Sequence, residues 1–206
     1  MLDLIELLKN RLKEPLPGID AQYEMAPTAR VKLNVNELSP NSFKKSAVML
    51  LVYKNDNKFF IPLTKRHTYD GNHSDQISLP GGKFEDNDGS LQNTALRELH
   101  EEIGINKSIE VIGRLTPLYI PVSNFYVEPY VGVFTENKIN FETNPREVKE
   151  LIQLDLESLK NESVIEKNGT INVNGQKLKT PYFNIEGQII WGATAMILNE
   201  FKKLII

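Results

Sequence analysis

The chain has 206 residues, 40% of them hydrophobic and 25% charged, which is enough to bury a core and too apolar for a disordered tail. Its 24 Lys and Arg against 27 Asp and Glu leave a net charge of −3, so it lacks the basic field that non-specific nucleic-acid binding needs. Cysteine is absent, which excludes disulfides, thiolate zinc sites, iron–sulfur clusters and a cysteine nucleophile, and leaves oxygen or imidazole for any metal.

Leu4, Ile5, Leu8 and Leu12 recur at helical spacing, and residues 2 to 13 read as an amphipathic helix ended by Pro15, Pro17 and Gly18. Acidic residues stand where a secretory signal needs basic ones, and the longest apolar run, Ala47 to Tyr53, is far short of the ~20 residues that span a bilayer. We therefore expect a cytoplasmic protein with no membrane partner. Residues 19 to 45 have weak periodicity and suit an arm packed over a core. The expected organisation is a helix and arm over 1–45 on a domain over 46–206, a single domain overall.

From Ser46 the pattern is that of strands. Ala47 to Val52 reads as a buried strand, Asn55-Asp56-Asn57 as a turn and Phe59 to Leu63 as the hairpin partner. Residues 67 to 89 form a long polar loop, and long loops are suspected of function. A helix over 91–103 follows, with Ser90 placed to cap it and Gly104 where a left-handed cap is needed. Val111 to Ile120 and Tyr126 to Phe134 have strand composition, and Glu147 to Leu159 reads as a helix. Asn174-Gly175 marks a hairpin turn within 170–183, and Ile189 to Phe201 reads as a closing helix. The class is α/β.

The chemistry concentrates in helix 91–103. At about 100° per residue, Glu98, Glu101 and Glu102 share an arc of about 100°, beside an apolar stripe of Ala95, Leu96, Leu99 and Ile103. Like charges so spaced destabilise a helix, and a hard divalent cation such as Mg²⁺ would compensate them while keeping waters for phosphates to replace. Gly82, at the end of the long loop, is placed to offer a carbonyl to the same ion. A merely solvated acidic face fits the same spacing, and Arg97 fits either an ion pair with Glu101 or a hold on a ligand.

The run Arg97-Glu98-Leu99-x-Glu101-Glu102-x-Gly104-Ile105 resembles the Nudix box, G-x5-E-x7-R-E-U-x-E-E-x-G-U with U aliphatic, and matches its second half in full. In the first half, Gly82 to Arg97 is one residue longer than the pattern, and Asp88 stands where Glu is expected, with Glu85 and Asp86 as substitutes. Upstream, Leu63-Thr64-Lys65-Arg66 and Pro80-Gly81-Gly82 resemble the frame of the coenzyme A pyrophosphatase branch, with His67, Gly71, Asp75 and Leu79 differing from it. Leu118 to Pro121, Val127 to Gly132 and Trp191 to Ala195 are also similar to that branch.

The resemblance implies an α/β/α sandwich around a mixed sheet with a catalytic loop-helix-loop. It further implies metal-dependent cleavage of coenzyme A or an acyl derivative to 3′,5′-ADP and 4′-phosphopantetheine. Glu98 and Glu102 would be the principal Mg²⁺ or Mn²⁺ ligands, with Glu101 a further ligand or the proton acceptor, and Glu147 a recruited acid or else a favourable charge at a helix start. Arg66 or Lys65 would meet a substrate phosphate. His67, His73 and His100 read as loop or surface residues. The alternatives are another nucleoside diphosphate derivative (ADP-ribose, a dinucleoside polyphosphate or a nucleoside triphosphate) and a silent nucleotide-sensing domain. A homodimer is left open.

Overall fold

The computed structural model describes residues 4–32, 42–67, 76–173 and 175–206. Gly71, His73 and Asp75 of the long loop, and Asn174 of the expected hairpin turn, lie outside the described residues. In chain order the elements are helices α1 (Leu4–Arg11) and α2 (Gly18–Tyr23), then strands β1 (Lys44–Asn55), β2 (Lys58–Arg66), β3 (Ile77–Ser78) and β4 (Gly81–Lys83). Helix α3 (Leu91–Ile103) follows, then β5 (Ile109–Arg114), β6 (Leu118–Ile120), β7 (Phe125–Phe134), β8 (Val148–Asp155) and α4 (Leu156–Lys160). The chain closes with β9 (Ile165–Glu166), β10 (Thr170–Val173), β11 (Gln176–Lys179), β12 (Tyr182–Ile185), β13 (Gln188–Trp191) and α5 (Gly192–Ile205).

Strand β1 is the hub. It runs parallel to β7 from Lys44–Phe125 to Val52–Val133. On its other edge it pairs antiparallel first with β4, over Ser46–Val48, and then with β2, over Tyr53–Asn55. Strand β2 separates from β1 beyond Phe60 and takes β8 as its antiparallel neighbour from Phe60 to Arg66. The sheet is therefore forked, with β1 and β4 on one arm and β2, β3 and β8 on the other.

Alternation along β1 builds a layer on each face. Ala47, Met49 and Leu51 are fully buried against Ala95, Leu99 and Ile103 of α3. Leu50 and Val52 point the other way, into the larger cluster with Leu8, Leu159, Ala195, Leu198 and Phe201. A central strand covered on both sides reads as a continuous apolar run, and this one does. The result is a mixed sheet between helical layers, an α/β fold.

Four stretches differ from the sequence reading. The helix expected over Glu147 to Leu159 is strand β8 followed by the short α4. Val148, Leu151, Ile152 and Leu159 have helical spacing, but the backbone groups of β2 need a partner beyond the fork, and β8 supplies it. The stretch Val111 to Ile120 is two strands, because Pro117 has no N–H to give a ladder and the Thr116 N–H and hydroxyl both donate to Glu200. The closing helix starts at Gly192 and ends at Ile205, Ile189 to Trp191 belonging to β13. Residues 18–23 of the expected irregular arm form α2.

Glu200, fully buried on α5, accepts from Gly18 N at 3.2 Å, Gln22 Nε2 at 2.8 Å and Thr116 Oγ1 at 2.6 Å, joining α2 and the β5–β6 connection to the last helix. Replacing it by Ala strands those donors away from water. We expect Glu200→Ala to cost about 3 kcal/mol or more in urea unfolding, against under about 0.5 kcal/mol for Glu157→Ala on the surface.

Candidate active site

Helix α3 forms where the sequence places it. Ser90 Oγ accepts from Asn93 N at 3.2 Å, and Gly104 closes the helix at φ 79°, a conformation that favours glycine. Because its stripe of Ala95, Leu99 and Ile103 is docked on β1, the carboxylates beside that stripe are carried to the mouth of the fork. Glu98 and Glu102 turn inward, their side chains 14% and 5% exposed, while Glu101 is 46% exposed.

Glu98 lies against the other strand of its arm. A Cβ added to Gly82 would stand 2.3 Å from Glu98 Oε1 and 2.7 Å from Oε2, so the carboxylate occupies the space that only glycine leaves open. Glu102 reaches the opposite arm, where Thr64 Oγ1 donates to its Oε2 at 3.0 Å and Arg66 Nη2 stands 3.6 Å from Oε1. Thr64 and Arg66 are two apart on β2 and so face one side. The helix spans the fork with one glutamate on each arm.

Arg97 holds the acidic face together. Its Nε and Nη2 donate to the two oxygens of Asp88 at 2.8 and 3.2 Å, Nη1 donates to Glu98 Oε1 at 2.9 Å and to Glu101 Oε2 at 2.8 Å, and Nη2 also donates to the Lys83 carbonyl. The ion pair with Glu101 is present, but Asp88 is the main partner. Asp88 is buried and also accepts from Thr94 Oγ1 and from the backbone of Glu85. The Arg97 guanidinium holds its carboxyl well below the usual carboxylate range. Asp88 thus clamps the loop to the helix; of the two substitutes, Glu85 caps the turn at 86–88 and Asp86 is exposed.

Glu147 is the last residue of the turn before β8 and is not at a helix start, so its reading as a helix N-terminal charge is corrected. The connection 142–147 packs on the end of α3, with Asn144 N donating to the Glu102 carbonyl and Asn144 Nδ2 to Glu147 Oε1 at 3.0 Å. From there the Glu147 charge bears on both Glu98 and Glu102. Burial raises the Glu98 carboxyl, and burial, opposed by Arg66 and Thr64, pushes Glu102 up to about 7. His67 Nε2 sits 3.0 Å from the Pro145 carbonyl and His100 near Asn106, both exposed. The sequence marks Thr64 only as part of the upstream frame, with no role, and does not mark Asn144; the fold makes both of them site residues by bringing β2 and the 142–147 connection to Glu102.

Among the described residues no three Asp, Glu or His side chains form a closed metal cage. The donors present nevertheless suit a hard dication. Two inward carboxylates of raised proton affinity, with the Gly82 backbone beside one of them, are an oxygen set with surplus negative charge, and Mg²⁺ is usually held by one or two carboxylates plus waters and substrate phosphates.

The NUDIX domain profile matches residues 43–171. The chain is 34% identical over 169 residues to Nudix hydrolase 15, mitochondrial, of Arabidopsis thaliana, covering 77% of this chain and 58% of that protein. It is 37% identical over 147 residues to a Nudix hydrolase of Yersinia enterocolitica, NudL, covering 68% and 71%. It spans little more than half the length of the plant relatives. Among solved structures, the Nudix hydrolase RenU of M. smegmatis superposes with a TM-score of 0.49 at 12% identity, over 87% of this chain and 92% of that one.

The raised Glu102 carboxyl has a consequence for stability. Between the ordinary carboxyl value near 4.5 and about 7 the unfolded chain releases this proton while the folded protein keeps it, so stability falls as pH rises through that window. Without divalent ions, Glu102→Gln should flatten the decline in Tm between pH 5 and pH 8, and at pH 8 the variant should be the more stable by about 1–3 kcal/mol.

Proposed function

Because this chain belongs to the Nudix family, we propose that it hydrolyses the diphosphate bridge of coenzyme A or an acyl-coenzyme A, releasing 3′,5′-ADP and 4′-phosphopantetheine or its acyl form. The observation that carries the reading is the meeting, at one carboxylate pair, of Thr64 and Arg66 from the upstream frame with Gly82, Glu98 and Glu102 of the box.

Glu98 and Glu102, with the Gly82 carbonyl, would hold Mg²⁺ or Mn²⁺. Such an ion, when bound, neutralises phosphate charge and makes hydroxide accessible near neutral pH. The rest falls to the protein. Arg97 keeps Glu98 and Glu101 oriented, and Asp88 keeps Arg97 in place. Glu101, half exposed with one oxygen on Arg97, and Glu147, exposed and facing the same pair, are the carboxylates placed to accept the proton of the attacking water. The water oxygen bonds to phosphorus, the anhydride P–O bond breaks, and the departing phosphate leaves as an anion. Arg66, on the face of β2 that it shares with Thr64, is the cation placed to meet substrate phosphate, whereas Lys65 next to it alternates to the other face.

Product analysis over coenzyme A, acyl-coenzyme A, ADP-ribose, dinucleoside polyphosphates and nucleoside triphosphates, with Mg²⁺ and with Mn²⁺, tests the substrate. The highest kcat/KM should fall on coenzyme A or its acyl form, and a preference elsewhere refutes the substrate assignment. Glu98→Gln should lower kcat by about two orders of magnitude or more with an unchanged circular dichroism spectrum. Gly82→Ala should displace Glu98 from its cradle: activity falls by a comparable factor while stability changes by under about 1 kcal/mol, since the added methyl meets only the end of a flexible side chain.

A further inference from the structure

Two guanidinium groups serve the acidic face, and they are held in different ways. Arg97 spends all five of its N–H donors on Asp88, Glu98, Glu101 and the Lys83 carbonyl, and it is 23% exposed. It has no donor left to offer a ligand. Arg66 stands 3.6 Å from Glu102 Oε1, too far for a hydrogen bond, and is 39% exposed. It also sits at the irregularity between Lys65 and Arg66, where the pairing of β2 with β8 shifts register. Glu102, in contrast, is pinned by the Thr64 hydroxyl at 3.0 Å and has almost no freedom to follow a departing partner.

A dication that uses Glu102 arrives beside this loosely held cation. Two positive charges at one carboxylate repel, and Arg66, having slack and an open side, is the one that moves. It needs an anionic acceptor, and the diphosphate of the substrate is the one the site receives. We infer that Arg66 is an exchange residue: it neutralises Glu102 while the site lacks a dication and transfers to the substrate diphosphate once the dication is bound. Binding of metal and of substrate is then coupled through one side chain. The inference rests on the dication-site reading of Glu98 and Glu102 made above.

The test measures binding without turnover. Mn²⁺ affinity is read from the free-ion electron paramagnetic resonance signal, for the wild type, Arg66→Gln and Arg66→Lys. Removing the competing cation should tighten Mn²⁺ binding about three- to tenfold in Arg66→Gln, with Arg66→Lys between it and the wild type. Calorimetry with α,β-methylene-ADP, a non-hydrolysable diphosphate, reads the second half. With Mn²⁺ present the wild type should bind it about tenfold more tightly than Arg66→Gln, and without dication the two should bind alike.

Unchanged or weakened Mn²⁺ affinity in an Arg66 variant of wild-type circular dichroism overturns the inference, as does an Arg66 contribution to analogue binding that is the same with and without the ion. If Arg66→Gln fails to fold, Arg66→Lys carries the same comparison. If the wild type binds no Mn²⁺ and Glu102→Gln changes nothing, the dication-site reading itself falls, and the inference with it.

Discussion

The site depends on one cation held among acids. Glu98, Glu101 and Glu102 crowd one side of a helix, and without compensation their repulsion would oppose both the helix and the burial of two of them. Arg97 answers this from within the same turns, and it does so only because Asp88 fixes its plane with two bonds. Asp88 is fixed in turn by Thr94 and by the backbone of the turn before the helix. The loop, the turn and the helix therefore form a single polar unit whose members each satisfy another. Such a unit orients carboxylates more narrowly than packing alone, because each acceptor in it has a directed partner.

The unit is useful because of where the sheet puts it. A flat sheet would present the acidic side of α3 to solvent on one side only. The separation of β2 from β1 after Phe60 opens a cleft across which the helix lies, and the two inward glutamates then find different surroundings: a bare backbone under Glu98, a hydroxyl and a guanidinium under Glu102. That asymmetry distinguishes residues which the helical wheel treats as equivalent.

Local features were legible in the sequence and distant ones were not. Helix 91–103 was readable to the residue because its evidence is contiguous: the Ser90 cap, the apolar stripe, the glycine that ends it. The β1–β2 hairpin was readable from its turn. The segment at 147–159 misled because its apolar spacing fits a helix, while the cause of its extended form is the open edge of β2, about ninety residues earlier in the chain. The site divides the same way. The glutamates stood out as a motif, and the altered spacing at Asp88 raised a doubt that only the geometry of Arg97 resolves. Thr64 is legible only as a member of the upstream frame and Asn144 not at all, because an ordinary threonine and an ordinary asparagine take up their contacts with Glu102 only through tertiary placement.

The cradle at Gly82 bears on how such a protein can change over generations. Any side chain there begins on the carboxyl of Glu98, so this position of β4 offers nothing for drift to work on without loss of the acid it supports. The other arm is different: Arg66, beside the 142–147 connection, is partly open to solvent and meets Glu102 by replaceable means. New ligand preferences in descendants of this chain would be written on that arm, around an invariant counterpart.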